Sequence, residues 1–454
     1  MAMETINPVT GKTEKRFDSW DAATLERALQ QVADATNAWA DTPIAERAKP
    51  MRRLAKELRD NKHYYASLIT LEMGKPITEA VAEVEKCALG CEYYADNAAD
   101  FLADETIETD ASRSYVAYLP IGTVLAVMPW NFPLWQVYRF AGPALMAGNT
   151  GVLKHASNVP QCALAIEESF RKAGFPDNVF RTLMIPASMV QQVIEDPRVH
   201  ATTLTGSEPA GRQVAGHSGA NLKKSLLELG GSDAFVVLED ADLEQAAHWG
   251  VVSRYLNDGQ SCIAAKRFIV VDAIADEYLK RFKQKAEQLV VGDPMNEKTQ
   301  VGPMSRADLR DALHKQVTDS IAQGAVKILG CEIPKGAGSY YPPSILDGIK
   351  PGMRAYEEEL FGPVALFIHA RDEADALRIA NDTRFGLAGS VWTRDIERGN
   401  RFAKKMQSGA SFVNGMSKSD PRLPFGGIKA SGYGRELSHH GIHEFVNAKT
   451  IWIG

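Results

Sequence analysis

An α/β fold built on parallel sheets is predicted by three observations: the size of the chain, the alternation of short apolar runs with helical stretches after Pro120, and the lack of any fixed-period repeat. Its 454 residues exceed one ordinary domain and suit two sizeable ones. Apolar residues make up 45% and charged residues 24%, which excludes disordered, collagen-like and coiled-coil chains. With 57 acidic against 51 basic residues the net charge is −6, and no long basic block offers a surface to a polyanion, so nucleic acid is not an expected partner. Cys87, Cys91, Cys162, Cys262 and Cys331 are odd in number and scattered, unlike a secreted disulfide framework. No leader-like N-terminus and no bilayer-length apolar run is present, so no membrane association and a cytoplasmic setting are expected.

Apolar residues at three- and four-residue steps predict helices over 21–39, 44–73 and 77–102, with Gly74 and Pro76 marking the last break. Ser114 to Leu119 alternates like a half-exposed strand, as do the final residues from Ala448. From Val124 strands and helices alternate: strands at 124–128, 151–154, 179–185, 201–205 and 224–229, with helices at 134–146, 161–173, 187–195 and 208–218 between them. Gly230-Gly231 then opens a second cycle, with strands at 234–238, 267–271, 364–369 and 411–414. Residues 1–109 and 121–230 therefore read as one domain, 231–445 as a second, and 109–120 with 446–454 as a small β arm. Parallel sheets of this kind bind ligands at the carboxyl ends of their strands.

Four segments carry residues suited to chemistry. Asn257-Asp-Gly-Gln-Ser-Cys262 places a thiol after a Gly-containing loop, where a following helix N-terminus would lower its pKa and make a nucleophile; a buried structural cysteine is the alternative. The other four cysteines read as structural, and Cys87 and Cys91 lack a nearby His, so no metal is expected. In Leu227-Glu228-Leu229 a carboxylate between leucines reads as a general base with a raised pKa, or as a capping or ion-paired residue. Asn131, in Pro129-Trp-Asn-Phe-Pro133, can donate to an oxyanion or merely tolerate a turn. Thr205-Gly206-Ser207 opens a helix, and such a start suits phosphate. The phosphate loop that ends in Gly-Lys-Ser/Thr is absent, and so is the Gly-x-Gly-x-x-Gly fingerprint.

In order, Pro129-Trp-Asn-Phe-Pro133, Val152-Leu-Lys154, Thr205-Gly-Ser207, Leu227-Glu-Leu-Gly-Gly231, Gly259-Gln-Ser-Cys262, Glu358-Glu-Leu-Phe-Gly-Pro363, Pro424-Phe-Gly-Gly427 and Ser431-Gly-Tyr-Gly-Arg-Glu436 resemble the aldehyde dehydrogenase superfamily over nearly the whole chain. The resemblance implies a Rossmann-like NAD(P)-binding domain, an α/β catalytic domain and a β oligomerisation arm. It also implies that Cys262 attacks an aldehyde, that Asn131 with the Cys262 N–H holds the oxyanion, and that Glu228 activates the water that hydrolyses the thioester. Trp130, Lys154, Ser157, Gly206, Ser207, Glu359 and Phe361 would hold NAD or NADP. Glu436 reads as bracing its loop rather than relaying protons.

Many NAD-specific relatives follow the ribose-binding lysine with Pro and, two residues later, Glu; here the run is Lys154-His155-Ala156-Ser157, which removes the carboxylate that would repel a 2′-phosphate. Both cofactors are expected to work, with His155 able to add charge. Arg139, eight residues beyond Asn131, resembles the arginine of succinate-semialdehyde dehydrogenases and would clamp a distal carboxylate with help from Ser419 or Lys418; pairing with an acidic neighbour inside the fold is the alternative. Succinate semialdehyde is thus the expected substrate, with another short aliphatic aldehyde or CoA-dependent acyl transfer as alternatives. Glu228 favours water over CoA, and Arg139 disfavours betaine aldehyde. Cys262 argues against a silent scaffold, and a cysteine hydrolase lacks a placed His, since His439, His440 and His443 read as a solvated helix face. Pairing of the exposed strands between subunits would give a homodimer or a dimer of dimers.

Overall fold

Thr123-Val-Leu-Ala-Val-Met128 is apolar or β-branched at every position, which suits a strand covered on both faces. In the computed structural model, which describes residues 3–454, it is an interior strand of a six-stranded sheet. The chain moves outward on one side of it through Thr150–His155 and Phe180–Thr182. It then returns to the other side through Val199–Thr205 and Lys224–Glu228. These five strands run parallel, joined in turn by the helices Trp135–Met146, Pro160–Lys172, Val190–Glu195 and Glu208–Ala220. The reversal beside Thr123–Met128 creates a crevice at the carboxyl ends of the strands, the place such sheets bind ligands.

After Gly230-Gly231 the chain enters a seven-stranded sheet ordered Val326–Leu329, Ser344–Asp347, Val364–Ala370, Ala265–Val271, Asp233–Val237, Ala388–Trp392 and Ala410–Val413. Only the first of these strands pairs antiparallel. Phe268 stacks on Phe367 at 5.3 Å and meets Phe282 edge-on at 4.7 Å, so the helix Ala275–Ala286 is held to this sheet by aromatic burial. Gly432–Tyr433 comes back to the first sheet and sets Gly432 opposite Glu228. Two sheets thereby meet around the ends of Lys224–Glu228 and Asp233–Val237.

Several expectations are corrected. The stretch 44–73 is two helices, Ile44–Asp60 and Lys62–Met73, because Asn61 leaves helical geometry and its side chain bonds the Glu57 carbonyl at 3.3 Å. Residues Met3–Ile6 and Thr13–Phe17 form a hairpin too short to show as periodicity. The strand expected over 179–185 shrinks to Phe180–Thr182 at the sheet edge. The two exposed strands find each other within the chain: Val446–Ile453 runs antiparallel to Arg113–Pro120 over eight residue pairs. The outer edge of Val446–Ile453 has no partner among the described residues, and Trp452 and Ile453 are exposed there. Among the described residues no helix is long and apolar enough to cross a membrane.

Candidate active site

The loop before Cys262 is shaped by Asn257 and Asp258, both left-handed at φ 54° and 55°, a conformation Asn and Asp tolerate better than most residues. Asn257 Nδ2 donates to the carbonyls of Asn131 at 2.9 Å and Gln260 at 3.0 Å. Asn131 Nδ2 also donates to Gln260 O, at 3.0 Å, which leaves one of its two N–H bonds for another acceptor. The amide is thereby tied to the nucleophile loop, with its Oδ1 accepting from Gln136.

Cys262 does not open a helix: it sits in a turn before the strand Ala265–Val271, so no helix dipole acts on it. Burial pushes its thiol up to about 12, opposed by the charges of Lys266 and Arg139. The expected lowering is therefore corrected, because desolvation of the thiolate outweighs the nearby cations. Lys266 Nζ donates to the carbonyls of Ser261 and Cys262 at 2.9 and 2.8 Å and pairs with Glu359 at 3.1 Å. Glu359 in turn accepts from the Gly231 N–H. At Gly231 a Cβ would lie 2.9 Å from the backbone carbonyl of Cys262, and at Gly230 it would push the Glu359 carboxylate from its place.

Glu228 ends its strand fully buried, and neither carboxylate oxygen has a hydrogen-bond partner among the described residues. Burial and then the charge of Glu436 hold its pKa well above the ordinary carboxylate range, while Arg139 and Arg435 pull it down. Glu436 is also buried and forms an ion pair with Arg139, and burial raises its pKa too. The backbone of Glu436 exchanges two 2.7 Å hydrogen bonds with Phe425, which braces the loop.

Arg139, Ser419 and Cys262 line one cavity of about 170 Å³, together with Trp135, Leu256 and Lys86. That volume lies well under the ~300 Å³ floor for drug-sized ligands and suits a short substrate. The Arg139 guanidinium does make the intramolecular pair weighed as the alternative, with Glu436, and its Nη2 donates to Thr205 Oγ1 at 3.1 Å.

On the opposite side, Lys154 lies one residue from the end of Thr150–His155 and Thr205 ends Val199–Thr205, the two strands that flank Thr123–Met128. Lys154 is buried, burial lowers its pKa, and no carboxylate pairs with it among the described residues. Ser207 is the N-cap of Glu208–Ala220, its side chain makes no capping bond, and the Gly206 N–H is taken by the Glu228 carbonyl at 2.9 Å. A lone buried cation and an uncapped helix start at one sheet edge fit the anionic dinucleotide. Trp130 meets Phe361 edge-on at 5.8 Å, closing the end toward Glu359. Ser157 lies half-buried against the N-terminal hairpin, its carbonyl accepting from the Glu4 N–H. His155 is corrected: its Nδ1 accepts from Ala156 N–H and its Nε2 bonds the Pro133 carbonyl. Burial lowers its pKa to about 4, so it stays neutral.

Sequence reasoning missed Lys86, Lys266 and Gln260. Lys86 and Lys266 stand outside every motif, and Gln260 stands inside Gly259-Gln-Ser-Cys262 with no role of its own; each matters through what the fold sets beside it. By contrast, His439 and His440 are exposed as expected, whereas His443 is half-buried, stacked on Tyr118 at 4.4 Å.

The sequence pattern of the aldehyde dehydrogenase family matches residues 1–451. A probable NADP(+) succinate-semialdehyde dehydrogenase of Synechocystis sp. is 50% identical over 453 residues, with all of both chains covered. An NADP(+) succinate-semialdehyde dehydrogenase of Mycobacterium ulcerans is 50% identical over 462 residues, again covering both chains fully. Among solved structures, succinic semialdehyde dehydrogenase from Streptococcus pyogenes in complex with NADP+ superposes with a TM-score of 0.98 at 38% identity, covering 100% of each chain. The chain belongs to the aldehyde dehydrogenase family.

Proposed function

We propose that this protein oxidises succinate semialdehyde to succinate, with NADP or NAD as hydride acceptor. The observation that carries the reading is the cavity of about 170 Å³ that has the Cys262 thiol in its wall together with Arg139 and Ser419. The names of the relatives at 50% identity support the same substrate and the use of NADP.

Charges on Lys266 and Arg139 favour ionisation of Cys262. The thiolate attacks the aldehyde carbon; a C–S bond forms and the carbonyl π pair moves to oxygen, where the free Asn131 N–H and the Cys262 N–H hold it. NAD or NADP, when bound, would supply the two-electron oxidising power, and loss of hydride from the adduct re-forms the carbonyl as a thioester on Cys262. Glu228, in its ionised form, takes a proton from water as the water adds, and collapse breaks the C–S bond and returns the thiolate. A carboxylate with no fixed hydrogen bond can turn toward the water and away again. Ser419 faces the distal carboxylate of the substrate, and Arg139, held by Glu436 and Thr205, lines the same cavity and lends it positive charge from behind. Lys154 would hold the adenosine ribose, Ser207 the pyrophosphate, and Glu359 with Phe361 and Trp130 the nicotinamide end; Ser157 would leave room for a 2′-phosphate. A reducing cytoplasm suits the five free thiols, and the open edge of Val446–Ile453 suits pairing with a second copy in a dimer or dimer of dimers.

Steady-state kinetics on succinate semialdehyde, butanal and betaine aldehyde with each cofactor test this reading. The acidic aldehyde is expected to give the highest kcat/KM, and equal values for butanal would overturn it.

A further inference from the structure

We infer that Lys86 is the specificity-determining cation of the substrate cavity and that, with the Ser419 hydroxyl, it receives the distal carboxylate of the aldehyde. The inference rests on the reading of an acidic aldehyde as substrate and names the charge that selects it. Lys86 comes from the helix Ile77–Phe101, more than three hundred residues before Ser419, yet its Nζ lies 2.6 Å from Ser419 Oγ. It also stands 4.5 Å from the Trp135 ring centroid, in the wall of the cavity that holds Cys262.

The charges around Lys86 are committed elsewhere. Glu83 pairs with Lys75 and accepts from the Leu134 and Trp135 N–H groups at 2.9 and 3.0 Å. Asp420 pairs with Arg422 at 2.7 Å. Arg139 pairs with Glu436. Among the described residues Lys86 has no ion pair of its own; Lys418, the other unpaired lysine at this cavity, is exposed to solvent, so Lys86 is the half-buried unmatched charge, set among Phe132, Trp135, Leu256, Ile263, Met416 and Phe425.

The hydroxyl beside it is oriented by elimination. Ser419 Oγ accepts from Lys86 Nζ and also from Trp135 Nε1 at 3.2 Å. A serine oxygen has two lone pairs and one proton, so with both pairs engaged its O–H is left to donate. Lys86 itself keeps two further N–H bonds. An ammonium and a hydroxyl donor side by side in an apolar pocket form a receptor for a carboxylate. Burial and the charge of Arg139 lower the Lys86 pKa to about 8, against weaker opposing effects of Cys87, Glu83 and Asp420. An incoming carboxylate relieves this by supplying the missing negative charge.

The test uses the full-length enzyme with cofactor. The Lys86→Met variant is expected to lower the ratio of kcat/KM for succinate semialdehyde over butanal by about 10- to 100-fold, through KM, as loss of a charge-assisted contact predicts. Lys86→Arg should hold the ratio within about threefold, since it keeps the charge. In the wild type, kcat/KM for the acidic aldehyde should fall as pH rises through about 8, where Lys86 loses its proton, and that limb should vanish in Lys86→Met. Equal losses on both aldehydes in Lys86→Met, or an unchanged ratio, would overturn the assignment. If the wild type shows no preference for the acidic aldehyde, the substrate reading fails instead, so the two failures are told apart by the wild-type ratio alone.

Discussion

Arg139→Met isolates what the buried guanidinium does. Its side chain is 3% exposed and that of Glu436 1%, so the variant leaves a carboxylate buried without its partner. Removing one member of such a pair costs about 3–5 kcal/mol. At roughly 1 °C per kcal/mol for a chain of this size, the thermal midpoint should fall by roughly 3–5 °C. Because Arg139 holds the pKa of both Glu228 and Glu436 down against burial, its loss raises both, and the ascending limb of kcat should move to higher pH. Glu436→Gln in the same chain removes the orphaned charge, so the double variant should lose less stability than the two single losses added together. The measurements are scanning fluorimetry at a fixed heating rate and pH–rate profiles with succinate semialdehyde and butanal. A midpoint and an acid limb both unchanged in Arg139→Met would show that the guanidinium acts only on substrate, and the ion-pair argument would be wrong.

Three further outcomes are expected. Glu228→Gln should release one equivalent of reduced nicotinamide per subunit in a burst and then stall with the acyl group on Cys262, visible as a mass increment on that residue; steady turnover near the wild-type rate would remove Glu228 from hydrolysis. Ser157→Glu should lower kcat/KM with NADP by about tenfold or more while sparing NAD, as like-charge repulsion requires, and unchanged NADP kinetics would show that residue 157 does not face the ribose. Asp233 is buried and pushed up to about 7 from 3.8, chiefly by burial. Its stabilising contribution is therefore complete below about pH 4 and is lost as pH rises toward 7, about 4 kcal/mol in all. Asp233→Asn should remove that part of the decline in denaturation measurements between about pH 4 and 7, and an unaltered slope would exclude Asp233 as its source.

Much of this was legible in the sequence because it is local. Alternating apolar runs determine which segments are strands and helices, and the Gly pair at 230–231 marks where one cycle ends. The chemistry-bearing types, Cys262, Glu228, Asn131 and Lys154, stand out from the segments that hold them. What the tertiary structure decided is every relation across distance. Cys262 precedes a strand, so burial rather than a helix dipole governs its thiol. Arg139 and Glu436 lie almost three hundred residues apart, and so no local pattern shows that their charges meet. Lys86 looks like any lysine of an amphipathic helix until Ser419 and Trp135 close around it. Periodicity reports which face of an element is apolar, but a charge's environment depends on what packs against that face, and only the folded chain supplies it.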